Sequence, residues 1–346
     1  MMGAMTHRER FHATVERKPV DRPASWLGLP TADALPGLYK FFETDSLDGI
    51  RLAVDDDVYP VELPCAFPGS TAIYDALRFA KKAVGAAERT LTAPGFFEKY
   101  DDPSRIHEFD WPDPAKYIDP RACRAAVEAA LPDRAAMGML WSAHFQDACS
   151  AFGMEAALMK MLQEPDMLRA VIDRITEFYL AANQIFYEAA HQKLDAVLIG
   201  NDLGSQTCLM LSPQMIREFV LPGTRRLVAQ AKQYGLKVIH HSCGAISDII
   251  PDLIDAGVDA THPIQALAAG MDPGELRTRY GDRMSFCGGV DAQYLLVDGS
   301  PREVRDKVHE LKALFPTGLI ISPSHEAILP DTKPANIKAL FEAVQK

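Results

Sequence analysis

From about residue 120 onward, short apolar runs rich in β-branched residues alternate with amphipathic stretches of helical period. This alternation constrains the fold most, because a strand apolar on both faces must be covered on both, and helical crossovers do that in parallel sheets. The runs are Met137–Phe145, Ala196–Leu203, Leu236–Cys243, Ala260–Ile264, Met284–Val290 and Leu319–Pro323. Between them lie helical stretches at Glu155–Leu162, Pro165–Ala190, Pro213–Tyr234, Ala245–Asp255, Asp272–Tyr280 and Pro301–Leu314. Ser212-Pro213 and Ser300-Pro301 each place a capping hydroxyl before a proline at the first helical position. Asp272-Pro273-Gly274-Glu275 supplies an acidic cap with Glu three residues on.

The first 120 residues are broken by prolines such as Pro19, Pro23, Pro30 and Pro36 and read as extra helices and loops. Within them Arg22–Leu27 and Asp57–Glu62 are two further strands, and the remainder is expected to cover the mouth of the fold. Eight strands favour a (β/α)8 TIM barrel, α/β in class, over an open doubly wound sheet. The open sheet's phosphate-binding patterns, G-x-G-x-x-G and G-x-x-x-x-G-K-[ST], are absent. No linker divides the chain, so residues 1–346 are expected to form a single domain with an irregular N-terminal extension.

A formal net charge of −11 repels a phosphate backbone and an anionic bilayer, which argues against nucleic-acid and membrane partners. No leader-like apolar stretch opens the sequence and no apolar run reaches spanning length, so a cytoplasmic location is expected. The six cysteines are scattered and read as reduced thiols; Cys65, Cys123, Cys149 and Cys208 read as small buried hydrophobes.

Polar residues interrupt the carboxyl ends of the strands, the face on which barrel enzymes carry their sites. His241-Ser242-Cys243-Gly244 is the sharpest of these. Residues two apart on an extended chain point the same way, so His241 and Cys243 would aim an imidazole and a thiol at one point, a donor pair suited to zinc. The alternative is a hydrogen-bonded interior histidine beside a buried thiol. His325 is the candidate third ligand, with Glu326 and Cys287 as alternatives. His240, on the opposite pleat, would face the helices. Asp202 and Asn201 follow an apolar strand and would orient substrate or move a proton, although an Asp there also serves as a cap or loop residue. Asp57 directly precedes a strand in the acidic run Asp55-Asp56-Asp57, which otherwise reads as a solvated loop. His144, His262 and Asp291 complete the mouth candidates, with His144 and His262 expected to bind substrate.

At these residues the chain resembles the uroporphyrinogen decarboxylase superfamily, which includes zinc-dependent, corrinoid-linked methyltransferases. The likeness is carried by Thr6–Arg10 with Pro19–Pro23, by Gly200–Gln206 followed by Leu211-Ser212-Pro213, and by His241–Gly244. It continues through Phe286–Asp291 and Pro323-Ser324-His325 to Leu329–Thr332. The resemblance implies a barrel with a deep carboxyl-face cleft, often a homodimer, with Gln206 added to the substrate-binding set. The decarboxylase branch carries paired arginines just after the Arg-Pro start, where this chain reads Trp26-Leu27-Gly28-Leu29-Pro30-Thr31-Ala32. Without guanidinium groups that stretch suits poly-acidic substrates poorly. The resemblance therefore favours methyl transfer between a small methylated substrate or thiol and a corrinoid (cobalamin) held by a partner protein, with Zn2+ on His241, Cys243 and His325. Three other readings follow: a metal-free decarboxylase using Asp57 or Asp202, a non-catalytic corrinoid- or tetrapyrrole-binding protein, and a plain metal-dependent hydrolase on a barrel.

Overall fold

The structure, a computed structural model, describes residues 3–79, 93–190 and 192–346. Seven parallel strands pair in chain order: β2 (Val58–Glu62), β3 (Ala135–Trp141), β4 (Ala196–Gly200), β5 (Lys237–His241), β6 (Ala260–Ile264), β7 (Ser285–Val290) and β8 (Leu319–Pro323). Two short strands, β1 (Leu29–Pro30) and β9 (Ala327–Ile328), pair separately in parallel.

The eighth stave is the expected segment Arg22–Leu27, but only part of it forms a ladder. Ile321 donates to the Ala24 carbonyl at 2.8 Å and Asp57 to the Ser25 carbonyl at 2.9 Å, so residues 24–25 bond to both β8 and the start of β2. Regular pairing ends there because Pro23 lacks an amide hydrogen and the Leu27 amide turns to the Asp56 carboxylate at 3.0 Å. The architecture is a TIM-barrel-like fold closed by an irregular stave.

Side chains alternate along each strand as the pleat requires. Val58, Ala135, Met137, Met139, Ala196, Leu198, Ile239, Ala260, Cys287 and Ile320 form one buried inner cluster. Their neighbours Ala136, Leu140, Val197, Ile199, Val238, Phe286, Leu319 and Ile321 belong to the larger shell under the helices. His240 follows this rule and is buried in the outer shell, as its pleat position predicts.

Three expectations need correction. The strand expected at Met137–Phe145 stops at Trp141, because Trp141 and Ser142 take left-handed φ values of 56° and 51°, and a helix starts at His144. The helix expected at Pro213–Tyr234 contains a π turn at Ile216–Val220 before Leu221–Gln233, since Pro222 cannot donate to the preceding turn. The N-terminal region was expected over the mouth, and Tyr74 does reach it, yet the first helix, His7–Val15, plugs the opposite end. Phe11 and Val15 join the inner cluster, and the Val15 carbonyl accepts from Ser285 at the start of β7, at 2.9 Å. The capping box of Thr6 and Glu9 starts that helix.

Asp57 belongs to the same amino end, immediately before β2. It is fully buried and ion-paired to Arg10 at 2.6 Å, Arg22 at 2.7 Å and His7 at 2.8 Å. A catalytic role at the mouth is therefore corrected to an electrostatic anchor across the barrel floor.

Candidate active site

The site grows from the ends of β4 and β5. Gly200 closes β4 at φ 159°, and a Cβ there would lie 2.0 Å from the carbonyl oxygen of His241, so only glycine lets the two strands approach this closely. Beyond them the loops are bound together. The Leu203 amide donates to Ser242 Oγ at 2.9 Å, the Cys243 amide to Asp202 Oδ1 at 2.9 Å and the Gly244 amide to Gln265 Oε1 at 2.9 Å. These bonds fix Cys243 and Asp202 in the order that His241 requires.

His241 Nε2 lies 3.5 Å from Cys243 Sγ and 3.2 Å from Asp202 Oδ1. The three ligand atoms all fall within 4.8 Å of one another. Bonds of about 2.0–2.3 Å at a tetrahedral ion put neighbouring donors roughly 3.3–3.8 Å apart, so these two separations are close to those of a zinc site. Imidazole, thiolate and carboxylate are also zinc's usual donor types. The residues fit the ion.

On its other edge, His241 Nδ1 lies 2.9 Å from His262 Nδ1 and 3.7 Å from Glu326 Oε2, the second group of ligand atoms within 4.8 Å. Glu326 Oε2 is buried with no hydrogen-bond partner, and so is His262 Nε2. Burial pushes His262 well below the usual histidine range, the neighbouring charge of His241 adding to it. Burial also works against a charge on His241, but Asp202, Cys243 and Glu326 outweigh it and hold its pKa well above the usual value. Burial raises the Cys243 thiol, and His241 and His325 more than reverse that, leaving it below an ordinary thiol. Asp202 is likewise held down by His241 and the Cys243 amide against the effect of burial.

A cavity of about 380 Å³ opens over this cluster, lined by Trp141, Gln146, Asp202, His241, His325 and Glu326 with Tyr74, Ala143 and Gly200. Trp141 stands edge-on to His241 with ring centroids 5.5 Å apart. A second cavity of about 200 Å³ adjoins it through His325 and is lined by Gln206, Gln265, Asp291 and Ser324 among others.

The expected residues separate into those gathered here and those used elsewhere. His241, Cys243, Asp202, Glu326 and His325 meet at the mouth, and Gln206 and Asp291 line the second cavity. His262 lies beneath His241 and outside the cavity lining. His325, expected as third ligand, sits on the rim: its side chain is 39% exposed and its Nδ1 accepts the Ala327 amide at 3.1 Å. The donor grouped with both His241 and Cys243 is instead Asp202. Asn201 and His144 are corrected from catalytic and substrate-binding residues to structural ones. Asn201 Oδ1 accepts from the Phe145 and Gln146 amides at 2.9 and 3.2 Å, capping the helix His144–Phe152. His144 is fully buried, with Nε2 2.9 Å from the Val220 carbonyl. Cys287 sits mid-strand in the inner cluster beside Ser322 Oγ at 3.4 Å, its thiol pushed up to about 12 by burial, and belongs to neither group of ligand atoms. Sequence reasoning missed Trp141, Tyr74 and Gln146. An aromatic at a strand's carboxyl end was the available signal for Trp141, and core packing produces the same signal.

The family described as uroporphyrinogen decarboxylase (URO-D) matches residues 87–346. The chain belongs to that family. A uroporphyrinogen decarboxylase of Chlorobium limicola is 30% identical over 193 residues, 54% of this chain and 51% of the relative. A methylated-thiol–coenzyme M methyltransferase of Methanosarcina mazei is 29% identical over 175 residues, 49% of this chain and 43% of the relative. These alignments thus span about half the length of either relative. Among solved structures, a methyltransferase from Methanosarcina mazei superposes with a TM-score of 0.73 at 17% identity, covering 99% of this chain and 98% of its own, a likeness of fold. URO-D relatives are enzymes of both kinds, decarboxylases and methyltransferases. Among the described residues, no helix is long and apolar enough to cross a membrane.

Proposed function

We propose that this URO-D family chain is a zinc-dependent methyltransferase, moving a methyl group between a small methylated substrate or thiol and a corrinoid carried by a partner protein. The observation that carries the reading is the donor triangle of His241 Nε2, Cys243 Sγ and Asp202 Oδ1, whose 3.5 and 3.2 Å separations suit one tetrahedral ion. The 29% identical relative named as a methyltransferase supports the reaction class. Bound there, zinc would supply a Lewis acid with one exchangeable position, able to lower the pKa of a substrate thiol.

The chain's own residues do the rest. Cys243 is held below an ordinary thiol by His241 and His325 despite its burial. Asp202 keeps its carboxylate ionised and spans the site, bonding the Cys243 amide with one oxygen and facing Gln146 Nε2 at 3.4 Å with the other. Trp141 walls the cavity beside His241, their ring centroids 5.5 Å apart. The corrinoid would belong to another chain, and a homodimer fits the family resemblance.

The decarboxylase reading draws on the relative of that name. Against it, no Arg or Lys of the described residues lines either mouth cavity, so neither holds the guanidinium groups that a poly-acid would need. The deciding experiment is elemental analysis of the purified protein and its Cys243→Ala variant. About one zinc per chain, lost in the variant together with methyl transfer to cobalamin, is the expected result. Zinc absent from the wild type, or zinc and activity both retained in the variant, would overturn the proposal.

A further inference from the structure

Asp202 carries two carboxylate oxygens, and the two have different neighbours. Oδ1 accepts the Cys243 amide at 2.9 Å and lies 3.2 Å from His241 Nε2, so it faces the other two donors of the triangle. Oδ2 is turned to Gln146, whose Nε2 stands 3.4 Å away. The same side chain reaches the backbone of Asp202, whose amide donates to Gln146 Oε1 at 3.3 Å. These partners fix which way round the Gln146 amide lies. A backbone N–H only donates and an ionised carboxylate only accepts, so Oε1 must face the first and Nε2 the second.

Gln146 is itself anchored. Its backbone amide donates to Asn201 Oδ1 at 3.2 Å, next to the Phe145 amide at 2.9 Å, at the start of the helix His144–Phe152. Residues 201 and 202 are therefore both tied to that helix, the first through the helix backbone and the second through the Gln146 side chain. The Asp202 side chain is 39% exposed, so packing alone does not hold it. Left to itself, such a carboxylate turns about its side-chain bonds and offers either oxygen, or both, to an ion. Two bonds from one glutamine to the amide and the carboxylate of the same residue oppose that rotation. Gln146 also lines the main cavity, beside the groups that an entering ligand meets.

We infer that Gln146 is a positioning residue of the proposed metal site, holding Oδ2 of Asp202 aside so that the carboxylate presents Oδ1 alone. The inference rests on the zinc-dependent reading and deepens it. A catalytic zinc site takes three protein ligands and keeps one position exchangeable. His241 Nε2, Cys243 Sγ and Asp202 Oδ1 supply the three. A carboxylate that bound through both oxygens would compete for the position a substrate needs, and Gln146 opposes this by engaging the second oxygen. Its amide is neutral, so it does this without adding charge to the triangle. Partners that orient ligands in this way are worth about 10- to 100-fold in metal affinity.

The test is metal and thiol binding, without turnover, to the intact protein and its Gln146→Met and Gln146→Asn variants. Methionine keeps the length and loses the amide, whereas asparagine keeps the amide on a stem too short to span both groups. Competition of zinc against a calibrated chelator should show affinity lowered about 10- to 100-fold in Gln146→Met and by less in Gln146→Asn. Cobalt(II) loaded in place of zinc reports the exchangeable position. Adding 2-mercaptoethanol to the wild-type cobalt protein should produce a thiolate-to-metal absorption beyond that of Cys243, the S–H proton passing to buffer. Gln146→Met should bind the thiol roughly tenfold more weakly. A glutamine that served only the fold would change the melting temperature of the metal-free protein and leave both metal readouts alone. Circular dichroism checks the fold, and either variant that folds suffices for the decision. Wild-type zinc affinity and thiol binding in the folded variants overturn the positioning role and leave the zinc-dependent reading standing. A wild type that binds neither zinc nor cobalt overturns that reading and this inference with it.

Discussion

The Nδ1 atoms of His241 and His262 face each other at 2.9 Å inside the barrel. A hydrogen bond between two ring nitrogens needs a hydrogen on only one of them. If His241 presents the lone pair of Nε2 to a metal, its hydrogen sits on Nδ1, and neutral His262 accepts it. Replacing His262 with Ala should therefore lower zinc affinity by about 10- to 100-fold. Competition against a calibrated chelator measures this. Wild-type affinity in a folded variant would mean that Glu326 alone orients His241.

Gly200 makes a sharper geometric prediction. An added Cβ would meet backbone, the His241 carbonyl, at 2.0 Å, and backbone cannot swing aside as a side chain does. Gly200→Ala should lose about 1–3 kcal/mol of stability and displace His241, with reduced zinc stoichiometry. Thermal melting and elemental analysis of the same preparation check both effects, and wild-type values for both would show slack between β4 and β5.

At the floor of the barrel, Asp57 governs acid stability. His7, Arg22 and Arg10 hold its carboxyl below the usual 3.8, outweighing the burial that would raise it. A depressed folded pKa stabilises the protein above the unfolded value, and that contribution is lost as pH falls through the folded value. Asp57→Asn should lose about 3–5 kcal/mol at pH 7, because it removes the buried carboxylate that Arg10, Arg22 and His7 share, and should show a shallower decline below pH 4. Denaturant unfolding at pH 7 and pH 3 gives both slopes. Zinc content of the folded fraction should be unchanged, which a catalytic-site role would not require.

His240 offers the opposite case. It is 1% exposed in the outer shell, and neither ring nitrogen has a hydrogen-bond partner. Replacing it with Leu removes two unsatisfied polar atoms and should stabilise the fold by about 1 kcal/mol. A clear drop in melting temperature would imply that water or a rearranged partner satisfies the ring.

Much of the scaffold was legible in the sequence. The six strands expected after residue 120 all form, because parallel strands buried on both faces must be continuous apolar runs. The Ser212 and Ser300 caps act as expected, each accepting the amide three residues on. His241 and Cys243 converge as two-residue spacing requires. Asn201 and His144 were less legible, because a polar residue near a strand end reads alike whether it faces a substrate or caps a helix. Asp57 misled for a related reason: its position was clear in the chain, but the arginines that engage it come from residues 10 and 22.

By itself the sequence determined the alternation of strand and helix and the pairing of His241 with Cys243, since both depend on neighbours within a few residues. Only the tertiary structure decided that Asp202 shares one group of ligand atoms with His241 and Cys243 and that Trp141 and Glu326 line the same cavity. It also put the first helix under the barrel instead of over it. Those relationships join atoms brought together by strand register and loop closure, distances that local propensity does not encode.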